Sequence, residues 1–61
     1  MSNDEALLIL AIVRRKLGRN YKAAIRQAWM SGNYEQLRPW SAELQRMRNS
    51  LGPTWLVNAR P

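Results

Sequence analysis

The sequence has no cysteine, no histidine and no phenylalanine, and its only acids are Asp4, Glu5, Glu35 and Glu43. Without cysteine no disulfide can brace the fold, a composition that suits a reducing compartment. With histidine also missing, the usual ligands for zinc and related metals are gone. Four scattered carboxylates do not readily cage a hard cation either. No metal and no cofactor is therefore expected.

The same absences weigh against catalysis. General acid–base chemistry most often uses histidine, or a carboxylate tuned by burial and neighbours. Asp4 and Glu5 stand where a helix begins, and Glu35 and Glu43 lie on opposite sides of Pro39. Ser2, Ser31, Ser41, Ser50 and Thr54 fall at expected helix ends or turns, where hydroxyls bond backbone groups. Gly18, Gly32 and Gly52 are isolated, so there is no glycine-rich phosphate loop. The chain is not expected to be an enzyme or to take a small-molecule substrate.

Long apolar runs are also missing. The longest, Ala6 to Val13, has eight residues, where a membrane span needs about 20. Acids precede it and bases follow it, the reverse of a secretory signal. No membrane association is expected, and the cytoplasm is the expected location.

What the chain does have is positive charge: ten Lys and Arg give a formal net charge of +6 in 61 residues. Such an excess predicts anionic partners and salt-sensitive association, and is silent about fold. Arginine outnumbers lysine eight to two, a bias that suits planar, bidentate contacts to phosphate or carboxylate. The length allows one domain, residues 1–61. A chain of this size buries only about 60% of its unfolded surface, so its core is marginal. With disulfides and metals excluded, pairing into a homodimer is the remaining way to support it.

Hydrophobic spacing predicts an all-α fold: a small three-helix bundle over about 3–17, 20–31 and 38–51. In the first segment Ala6, Ile9, Leu10, Val13 and Leu17 make a core-facing stripe, opened by Ser2 and Glu5 at capping-box spacing and closed by Gly18 in a left-handed stop. Leu8 and Ile12 fall on a second side that one neighbouring helix cannot also cover. In the second, Asn20 is the expected N-cap, and Tyr21, Ala24, Ile25, Ala28 and Trp29 face the core. In the third, Tyr34, Leu37, Trp40, Leu44, Met47 and Leu51 repeat at near-heptad steps. Proline is tolerated only in a helix's first turn. Pro39 therefore puts the start near Arg38, after a short helical lead-in at 34–37 that Asn33 and Gln36 cap. Gly52-Pro53 ends the helix, and an extended C-terminal tail, 52–61, is expected to pack back on the bundle or on a second subunit through Trp55 and Leu56.

Two functional readings use these residues. Arg14, Arg15, Lys16, Arg19, Lys22 and Arg26 place six positive charges within thirteen residues with no acid among them, the pattern of a phosphate-binding surface. This points to a small regulatory or accessory protein that binds nucleic acid. The helix-turn-helix pattern fits poorly, because Arg14 occupies the position where a small residue would let two helices cross closely. The other reading is a protein-interaction module, an adaptor or inhibitor docking on a larger acidic partner. Its interface would be Leu8, Ile12, Trp55 and Leu56. The bland account of the cations is that Arg14, Arg15 and Lys16 simply suit a helix C-terminus, and that Arg46 pairs with Glu43 one turn away.

Overall fold

The computed structural model describes residues 1–59. Helix α1, Asn3–Leu17, begins as its sequence dictates: Ser2 is extended, and its side chain accepts the Glu5 backbone N–H at 3.2 Å. Asp4 and Glu5 occupy the positive end of the helix and Arg14, Arg15 and Lys16 the negative end. Its stop differs from expectation. Gly18 has φ +79° and ψ −153°, outside the left-handed helical region and in one that essentially only glycine enters. There its N–H still closes on the Arg14 carbonyl. A 3₁₀ turn, Gly18–Asn20, then leads straight into α2, Tyr21–Ser31. Asn20 stands at the N-cap position without a side-chain cap bond, because the turn itself already engages the Tyr21 N–H with the Gly18 carbonyl.

Helix α2 ends at Gly32, whose N–H reaches the Ala28 carbonyl at 2.8 Å. The lead-in is a 3₁₀ turn at Glu35–Leu37, capped by Asn33 Oδ1 accepting the Glu35 N–H at 3.1 Å. Helix α3 spans Ser41–Leu51 and so starts three residues later than the sequence suggested. The reason is local: a proline disfavours helical geometry in the residue before it, and Arg38 is extended, with ψ 142°. Pro39 thus lies outside the helix altogether.

The C-terminal segment is not extended as expected. After Gly52 the chain turns and makes one further helical turn, α4, Trp55–Asn58. Within one turn, Leu56 points inward and is buried, with Ala59 beside it in the core. The segment is fastened at both ends. The Trp55 indole N–H donates to Asn3 Oδ1 at 2.8 Å, and the Lys22 ammonium donates to the Ala59 carbonyl at 2.6 Å. Residues 60–61 of the predicted tail lie outside the described residues.

The core sits where these elements converge: Ala6, Leu10 and Val13 from α1, Tyr21, Ile25, Ala28 and Trp29 from α2, Leu37, Leu44 and Met47, and Leu56 and Ala59. Each fully buried large side chain contributes roughly 1.5–3 kcal/mol relative to exposure. The Trp29 indole N–H adds a direct α2–α3 link, donating to the buried Leu44 carbonyl at 3.1 Å. Ile9, Leu17, Ala24, Trp40 and Leu51, expected inside, are half-buried at its edge. Among the described residues no helix is long and apolar enough to cross a membrane.

Candidate nucleic-acid interface

The last turn of α1, the Gly18–Asn20 turn and the first turn of α2 meet at one corner of the molecule. Because Gly18 reverses the chain within three residues, cations that are four to eight positions apart in sequence line one groove. Arg14, Arg15, Arg19 and Lys22 line an open groove there, with Ala11, Gly18 and Tyr21 forming the rest of its wall. No lining residue is acidic. Among the described residues the two ion pairs lie elsewhere, Arg38 with Glu35 at 3.3 Å and Arg46 with Glu43 at 3.8 Å. The first is an exposed pair, of the kind worth under about 1 kcal/mol; in the second Arg46 is exposed and Glu43 half-buried. The acids are thus spent at the start of α1 and on these two arginines, and the groove keeps its charge.

The six cations read as one patch do not act alike. Lys22, whose place four residues before Arg26 on the polar side of α2 predicts exposure, is half-buried because its ammonium holds the Ala59 carbonyl. Lys16 and Arg26 are exposed and do not line the groove. Arg26 lies farther along α2 in a shallow depression with Ala23, Gln27, Met30 and Ser31. The α1 dipole accounts for basic residues in its last turn, but Arg19 lies beyond the helix end and gains little from it. Away from the groove, burial raises the Tyr34 phenol above its ordinary value, and nearby Arg48 acts in the opposite sense.

The residues assigned to a protein interface also separate. Leu8 and Ile12 are 67% and 51% exposed, one turn apart on the side of α1 opposite Ala6, Leu10 and Val13. The described part of the C-terminal segment does not cover them. Leu56 is 1% exposed and cannot meet a partner, because α4 turns it into the core. Trp55 is half-buried with its indole N–H engaged by Asn3, so it is not a free anchor. Tyr21 and Ala11 were not singled out for the groove. Tyr21 reads only as a core position in the helical pattern, and its place in the groove wall depends on the reversal at Gly18. Met30, 82% exposed, and Val57, 62%, carry no sequence signal of exposure.

Compared with known proteins, the chain matches no family model, no curated protein and no solved structure.

Proposed function

We propose that this chain is a small nucleic-acid-binding protein of the cytoplasm, acting as a homodimer in a regulatory or accessory role, with the α1–α2 groove as its phosphate-binding surface. The observation that carries this reading is the composition of the groove: four cations, no acid in its wall, and, among the described residues, ion pairs only in other parts of the molecule. Arginine predominates there, and its guanidinium presents a planar fork that matches phosphate oxygens. Such contacts hold the sugar–phosphate backbone and carry little sequence information. The mode of binding expected is therefore weakly sequence-selective and strongly salt-dependent.

The test uses two charge-matched double variants, Arg14→Gln with Arg19→Gln, and Arg38→Gln with Arg46→Gln. Each removes two positive charges. Binding to fluorescent mixed-sequence duplex DNA, duplex RNA and single strands is followed by anisotropy at low salt. The groove reading predicts a large loss for the first variant and a small one for the second. Equal losses would reduce the effect to net charge and remove the groove from it. The interaction-module reading keeps the exposed Leu8 and Ile12 in its favour. It is left without Leu56, which is buried, and without a free Trp55 indole.

A further inference from the structure

Helix α1 carries, along the side facing away from the core, a pattern that is complementary to itself when reversed. Asp4 and Glu5 lie at one end, Leu8 and Ile12 in the middle, and Arg15 and Lys16 at the other end. At 3.6 residues per turn these six share one face, with Leu8 and Ile12 along its centre line and the charges at its flanks. All four charged residues are exposed, and among the described residues none of them is in an ion pair. The acids and bases are equally far from Leu10, the midpoint between Leu8 and Ile12 in sequence. Turning a second helix end over end about that point brings opposite charges together on both flanks. A parallel pairing would instead stack like charges.

We propose that a second copy of this chain docks on this face with its α1 antiparallel, forming a two-fold dimer. Leu8 of each copy lies beside Ile12 of the other, Asp4 faces Arg15 of the second copy, and Glu5 faces Lys16. The interface is isologous, as closed two-fold dimers require. It removes from water the two large apolar residues of α1 that are left exposed among the described residues. Two such residues per copy are well below the area of an obligate dimer, so the association is weak and concentration-dependent. The proposal rests on the homodimer reading above; it shares Arg15 with the groove, so its test varies Glu5, Lys16, Leu8 and Ile12, none of which lines the groove, and is made without nucleic acid.

Sedimentation equilibrium without nucleic acid tests it, over a range of protein concentration up to the millimolar. The mass should rise toward that of two chains, Glu5→Lys or Lys16→Glu should each weaken association several-fold, and the two together should restore it. Circular dichroism confirms that each variant remains helical. The lack of native cysteine permits a second readout that does not depend on charge. When Leu8→Cys and Ile12→Cys proteins are mixed and oxidised, the mixed disulfide should exceed its statistical share of half. A strictly monomeric wild type, or single charge changes without effect, would overturn the proposal. Preferential self-pairing of the Leu8→Cys protein would overturn the antiparallel register.

Discussion

Lys22 shows how one side chain can be read correctly as basic and wrongly as free. Its sequence position, four residues before Arg26 on an amphipathic helix, put it on the solvent face. Its ammonium instead ties the C-terminal segment to α2 through the Ala59 carbonyl. A hydrogen bond from a charged donor that is partly buried contributes roughly 1 kcal/mol or more. Lys22→Met should therefore lower unfolding free energy by about 1 kcal/mol in urea titrations. Arg19→Met, on an exposed side chain in neither ion pair of the described residues, should stay within about 0.5 kcal/mol of wild type and change only binding. Gly18 makes a sharper case. An added Cβ would meet nothing within 4 Å, yet φ is +79°. Gly18→Ala should cost about 1–3 kcal/mol through backbone strain alone, seen as a lowered urea midpoint. Because the groove depends on that reversal, its affinity should fall with it.

At the scale of elements, the helices that carry strong periodicity were legible. Of the five positions that the spacing of α2 marks, Tyr21, Ile25, Ala28 and Trp29 are buried and Ala24 is half-buried at the edge of the core, because a 3.6-residue repeat leaves little choice of inward face. Two things were not legible. The start of α3 depends on how Pro39 constrains Arg38, and proline in a first helical turn and proline just before a helix give the same sequence signature. The one-turn helix α4 is too short to form by propensity. It is held by burial of Leu56 and by the Trp55 to Asn3 bond, a partner 52 residues away that no local pattern reveals. Leu56→Ala should accordingly destabilise the whole molecule by about 2–5 kcal/mol and not merely loosen the tail. Loss of α4 order with an unchanged global midpoint would show the segment to be an appendage. The candidate site was legible in part for the same reason. The run of cations is plain in the sequence, while the separation of Arg14, Arg15, Arg19 and Lys22 from Lys16 and Arg26 follows from helix rotation and the Gly18 reversal.

At the scale of the whole molecule, charge is segregated. Among the described residues, acids lie at the start of α1 and in pairs with Arg38 and Arg46, and the groove at the α1–α2 corner is lined by cations without an acid. The described residues span 24 × 22 × 20 Å, so one protomer covers at most about seven base pairs at roughly 3.4 Å per step. Few phosphates are within reach, and each one contacted should be visible in the salt dependence. The most direct test of the account is the slope of log affinity against log salt on mixed-sequence duplex DNA. It is measured for wild type, for Arg14→Gln with Arg19→Gln, and for Arg38→Gln with Arg46→Gln. Each phosphate contact contributes about 0.9 to that slope. The groove variant should be shallower than wild type by about 1.8, and the paired-arginine variant close to wild type. Equal slopes for the two variants, or no binding by wild type even at low salt, would contradict the assignment of the α1–α2 groove as a nucleic-acid surface.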